Sequence, residues 1–142
     1  MFKLYSKVKK NLLLLSLIKK GDITYKRQDL SPAEEFIQVS AKKIISNDLF
    51  KAHKHLASEK SATTTQESWV ILDGKVLATI YDVDDQIVYE EILESGDCIV
   101  LFSGGHSLEC LSDEAILYEF KNGPYYGAKQ DKIYLEIDSE KK

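Results

Sequence analysis

No apolar run in this sequence approaches the ~20 residues that a membrane span needs. The longest, Leu12 to Ile18, contains Ser16 and stops at Lys19 and Lys20. A basic excess is missing too, since 19 Lys and Arg against 23 Asp and Glu leave a net charge of -4. A duplex-binding surface needs the opposite balance to displace counterions from phosphate, so nucleic acid is not an expected partner. Cysteine is scarce at two, Cys98 and Cys110, both inside apolar runs. They allow one cross-strand bridge without requiring it. The start, "KLYSKVKKNLLLLSLIKKGD", lacks a small-residue cleavage site, so a cytoplasmic location is expected and the cysteines read as small buried hydrophobes. Internal repeats, low-complexity tracts and any long helical period are also lacking.

What is present suits one globular domain, with 44% hydrophobic and 30% charged residues in 142. Residues 1–22 read as a helical extension, with Gly21 as C-cap and Lys19 and Lys20 in the favoured last turn. Its leucines would pack on the domain or on a second subunit. From residue 23 to 137 the pattern is short β-rich runs separated by turn residues. The strand candidates are "FIQVSA", "LFKAHKH", "ESWVILDG", "KVLATIYD", "QIVYEEIL", "CIVLF", "HSLECL", "AILYEF" and "KIYLEI", and residues 138–142 form a flexible tail. With no helices between strands, an antiparallel barrel or sandwich is expected.

The three histidines fall in two places. In "FKAHKH", His53 and His55 are two apart, so on a strand they project to one side as a ready-made chelate. Glu67 heads "ESWVILDG", where Trp69 and Ile71 share its parity and should line the same inner face. His106 follows Gly104 and Gly105, which permit a tight turn and close backbone approach. Three nitrogens and one carboxylate would then converge.

This spacing resembles the first motif of the cupin superfamily: glycine, five residues, His-x-His, a short gap, glutamate, six residues, glycine. His53 and His55 match the middle, Glu67 and Gly74 the end, and Asn47 stands where the first glycine would be. Eleven residues separate His55 from Glu67, and Glu59 is the rival ligand at the ordinary gap; Glu67 is preferred for the glycine seven residues on. "GDCIVLFSGGHSLEC" is similar to the second motif, with Phe102 in place of the proline and a turn one residue shorter. Through "TQESWVILDGKVLATIYD", "LYEFKNGPYYG" and "DKIYL" the chain looks like small single-domain cupins often encoded near surface-polysaccharide or nucleotide-sugar genes. The resemblance implies a jelly-roll β-barrel and a homodimer. It also implies one divalent transition metal, iron, manganese, nickel, copper or zinc, held by His53, His55, Glu67 and His106.

Such an ion serves as Lewis acid or redox centre, so isomerase, epimerase, lyase and dioxygenase activities on a small polar molecule such as a sugar derivative are all open. A non-catalytic ligand-binding or regulatory cupin is the alternative. Glu119 and Lys121 share one strand face and are the candidates for binding or deprotonating the substrate. The alternation alone favours the reverse, with that pair in solvent and Ile116, Tyr118 and Phe120 in the core. Trp69, Tyr118 and Tyr125 are candidate ligand-binding aromatics, each equally readable as packing. The acidic "DVDD" at residues 82 to 85 lacks the glycine and distal glutamate of a calcium loop and reads as a solvated hairpin turn.

Overall fold

The computed structural model describes residues 1–24, 26–46, 48–55 and 61–136 of the chain. Its strands are β1 (Phe2–Tyr5), β2 (Leu13–Ile18), β3 (Gln28–Asp29), β4 (Ser40–Ala41), β5 (Glu67–Asp73), β6 (Lys75–Tyr81), β7 (Ile87–Glu94), β8 (Cys98–Leu101), β9 (Gly105–Cys110) and β10 (Ile116–Lys121). One helical turn, α1 (Ala128–Asp131), follows. Every pairing is antiparallel, in a five-stranded sheet ordered β1-β2-β8-β5-β10, a three-stranded sheet β7-β6-β9 and the small pair β3-β4. The mainly β, antiparallel class expected from the sequence is observed. The runs from "ESWVILDG" to "AILYEF" form β5 to β10.

The expected helix over residues 1–22 is not there. Residues 2–5 and 13–18 form a hairpin whose second strand lies between β1 and β8. Every residue of β2 is buried, which explains its near-continuous apolar sequence, interrupted by Ser16, because a strand covered on both faces has no polar side to show. Leu15 and Leu17 face the main core, whereas Ile18 packs on the opposite side with Val100, Phe102 and Leu30. A register shift leaves Leu14 unpaired against β1, and this bulge turns Leu13 to the side of Ile18.

The main core lies between the two larger sheets. Leu15, Leu17, Trp69, Ile71, Ile99 and Leu101 come from one, and Val76, Ala78, Ile80 and Leu93 from the other. Burying each large side chain is worth about 1.5–3 kcal/mol. The back of the five-stranded sheet is covered by residues 26–41, through Leu30, Ile37, Val39 and Ala41. At the corner from β5 to β6, Gly74 takes φ +77°, and a Cβ there would meet the backbone of Glu114 and Ala115. Ser112 closes this corner by accepting from the Lys75 N–H at 2.9 Å, while the Leu111 N–H donates to the Lys75 carbonyl at 2.9 Å.

Strands β9 and β10 are consecutive, but each is the edge of a different sheet and they do not pair. The sandwich is therefore open along that side. On β10 the expected burial of Ile116, Tyr118 and Phe120 is reversed: they are 51%, 58% and 53% exposed. Register explains it. Leu117 packs on the main core, so Glu119, opposite Trp69, and Lys121, opposite Glu67, turn inward with it. The inner faces of β5 and β10 thus both run from apolar to charged toward the open side.

Three expected strands differ. "FIQVSA" pairs only at Ser40–Ala41, residues 49–55 of "LFKAHKH" are not in a strand, and neither are residues 132–136. In "LFKAHKH", alternate residues give Leu49, Lys51, His53 and His55 on one side and Phe50, Ala52 and Lys54 on the other. Neither set offers an apolar face to bury, and Leu49 is 87% exposed.

Candidate active-site cleft

A cleft of about 710 Å³ occupies the opening between β9 and β10. Its wall joins the two sheets. From β5 comes Glu67, with a side chain only 7% exposed, and from β9 comes His106, whose Nε2 stands 3.1 Å from Glu67 Oε2. Trp69, two residues along β5, meets the His106 ring edge to face at 5.1 Å between centroids. Trp69 and Ile71 share the inner face with Glu67, as strand parity predicts. His106 reaches this point because Gly104, at φ +78°, turns the chain where any Cβ would collide with the Tyr81 carbonyl and crowd Leu14.

The other Glu67 oxygen faces Lys121 Nζ at 3.5 Å. That ammonium also stands 3.3 Å from Glu119 and 3.9 Å from Asp131, and lies over the Tyr125 ring at 4.4 Å from its centroid. Asp131, on α1, accepts a hydrogen bond from Thr65 Oγ1 at 2.7 Å. The hydrogen bond from His106 holds the Glu67 carboxyl below the usual carboxylate range against the opposing effect of burial. Burial pulls the Lys121 ammonium down, but Glu119, then Glu67 and Asp131, outweigh it and raise its pKa. Both groups are therefore charged at neutral pH.

The candidate residues divide into those the fold assembles and those it does not. Glu67, His106, Trp69, Glu119, Lys121 and Tyr125 are brought together. Tyr118 lies on the outer face of β10, where it meets Phe120 at 6.1 Å between ring centroids. His53 and His55 stand side by side, ring centroids 5.4 Å apart, but in an exposed segment outside any strand. Asn47 and Glu59 lie outside the described residues.

The metal centre implied by the resemblance needs all four donors at one point. Among the described residues no three His, Cys, Asp or Glu side chains are grouped so as to hold an ion. Both oxygens of Glu67 already face cationic or donor groups, one an imidazole and the other an ammonium. Of the four donors, the structure brings Glu67 and His106 together, while His53 and His55 stand in an exposed segment and are not among the residues lining the cleft.

Several residues of the cleft carried no signal in the sequence. Asp131 and Thr65 lie far apart in the chain with no motif around them. Asp82, read as part of a solvated turn, is 1% exposed: its carboxylate accepts from Ser6 Oγ at 2.5 Å, Lys7 N at 2.7 Å and Val83 N at 2.8 Å. No protein-family model matches the chain, and no curated protein or solved structure matches it either.

Proposed function

We propose that the cleft binds a small polar molecule, such as a sugar derivative, and moves a proton on it, with Glu67 and His106 as the acid–base pair. This is the work of an isomerase, epimerase or lyase on a cupin-like sandwich. One observation carries the reading: a buried carboxylate and an imidazole from opposing sheets meet at 3.1 Å on the wall of a cleft large enough for a monosaccharide.

Each residue has a role in this reading. Glu67 accepts the Nε2–H of His106, which leaves the lone pair on Nδ1 as the group that exchanges a proton with the ligand. The carboxylate then steadies the imidazolium that forms, in the manner of an acid–histidine pair. His106, with a smaller contribution from Lys121, keeps Glu67 ionised, and Lys121 holds Glu119, which lines the cleft and accepts a ligand hydroxyl. Tyr125, stacked on the Lys121 ammonium, offers an aromatic edge beside it. Every step uses only these side chains, and none is routed through a metal.

The test is proton exchange. Sugars and polyols that raise the melting temperature are incubated with the protein in deuterated water, and carbon-bound deuterium is read by mass spectrometry. Wild type should label a bound ligand, and His106→Gln should reduce labelling by about 10²–10⁴-fold, the usual worth of a general base. A ligand that binds without labelling in wild type would refute the enzymatic reading and leave a binding protein.

A further inference from the structure

The Glu67–His106 pair has a second side. A smaller chamber of about 300 Å³ shares this pair and Thr64 and Thr65 with the large cleft, and adds Lys9, Leu12 and Ser103. The two spaces differ in charge. Beyond the shared pair, and among the described residues, Asp82, Asp85, Glu119 and Asp131 line the large cleft against Lys132, with Lys121 behind Glu119 and Asp131, whereas Lys9 is the further charged side chain around the small chamber. Lys9 takes part in none of the ion pairs among the described residues.

The loop that carries Lys9 is held in one shape. Ser6 Oγ accepts from the N–H groups of Val8 at 3.0 Å and Lys9 at 2.8 Å, and the Leu12 N–H donates to the Lys9 carbonyl at 3.2 Å. Asn11 completes the turn at φ +63°. The loop is anchored through Ser6 and Lys7 to the buried Asp82 carboxylate, which also borders the large cleft. A simple surface turn between β1 and β2 does not need a buried carboxylate to fix it, because burying that charge is costly. What the anchor achieves is a fixed backbone for the residue that brings a positive charge to the rim of the small chamber.

We infer that the small chamber is the anion subsite of this active site, and that the substrate is a small hydroxy- or polyhydroxy-carboxylic acid. Its carboxylate lies at Lys9 and its hydroxylated carbons in the acid-lined cleft. One lysine matches a single negative charge. A phosphate monoester carries up to two and usually draws on an arginine fork or a helix N-terminus, and here the second charge would meet the carboxylates across the pair. A neutral sugar makes no use of Lys9. Because the Glu67–His106 pair forms the common wall, the carbon bonded to the carboxylate is the one nearest the imidazole. This assignment rests on the proton-transfer reading above and specifies what it acts on.

The experiment compares matched acids and neutral partners on the whole protein: D-gluconate against D-glucitol and D-glucuronate against D-glucose, with inorganic phosphate as a third arm. Binding is measured by calorimetry at low and moderate salt. The acids should bind wild type at least about tenfold more tightly than their neutral partners, the size of one charge-assisted hydrogen bond, and the preference should shrink with salt. Lys9→Met should abolish the preference with an unchanged melting temperature, because Lys9 is exposed, and Lys9→Arg should retain it. If acids and neutral partners bind alike, or if Lys9→Met keeps the preference, the anion subsite is wrong and the proton-transfer reading stands. Phosphate binding more tightly than either acid overturns the carboxylate assignment. If none of the acids or neutral partners binds wild type, the sugar-acid assignment is wrong, and the proton-transfer reading is decided separately by deuterium labelling of whichever ligand raises the melting temperature.

Discussion

Replacing Lys121 by methionine keeps the length and apolar stem of the side chain and removes its charge. The ammonium stands 3.5 Å from Glu67, 3.3 Å from Glu119 and 3.9 Å from Asp131, so the variant takes a shared counter-charge from three carboxylates. Two of these are shielded, since the Glu67 and Asp131 side chains are 7% and 13% exposed. Removing one partner of a fully buried pair costs about 3–5 kcal/mol, whereas a surface pair is worth about 1 kcal/mol or less. Lys121 is 20% exposed and His106 still holds Glu67, so the case lies between these limits. The expected loss is about 2 kcal/mol, which for a chain of this size lowers Tm by roughly 6 °C. Urea and thermal unfolding at neutral pH measure it. A cycle with Glu67→Gln should return a coupling of about 1 kcal/mol between the two sites. A loss under about 0.5 kcal/mol, or full additivity with Glu67→Gln, would refute the view that Lys121 compensates Glu67.

Asp82 gives a pH dependence. Burial pushes its pKa up, but hydrogen bonds from Ser6, Val83, Lys7 and Val8 outweigh that and hold the carboxyl below the ordinary range. A depressed native pKa adds stability that is present above the unfolded value of about 4 and lost as pH falls through the native one. Asp82→Asn should start about 1–3 kcal/mol less stable at pH 7 and lose less than wild type on acidification, as urea midpoints across the acid range would record. Gly104→Ala should cost about 1–3 kcal/mol for a strained φ, and should also weaken ligand binding, because His106 is two residues away; calorimetric binding and thermal unfolding together check it. Excess manganese, nickel, zinc or iron(II) should leave Tm unchanged. A rise that both His53→Ala and His106→Ala abolish would instead establish the four-donor centre.

The β strands from residue 67 onward were legible because they are short β-rich runs, several with a two-residue alternation, separated by glycine-containing or acidic turns. The meeting of Glu67 with His106 was legible for the same reason, from the parity of Trp69 and Ile71 and the glycine pair before His106. Two features misled. A nearly continuous apolar run such as "LLLLSLI" has no clear period, so a strand buried on both faces looks like a short helix. The strand β10 alternates correctly but places its aromatic side outward, and nothing in "AILYEF" reveals that its neighbour β5 begins with a buried carboxylate opposite Lys121. Asp131 and Asp82 reach the cleft through contacts far apart in the chain, which local pattern cannot encode. The chelate pair His53 and His55 was read from a strand that the residues around it do not support.

The corner at Gly74 and Ser112 lies at the far end of β9 and β10 from Glu67 and His106, yet it is where those two unzipped strands are fastened together. It holds the two cleft walls at a set separation at that end. The aperture is then fixed by the short connection between β9 and β10 as much as by any side chain that touches the ligand. Lengthening that connection, or loosening the Ser112 clasp on Lys75, would retune which sizes of molecule enter while every residue of the pair and its lysine stays as it is.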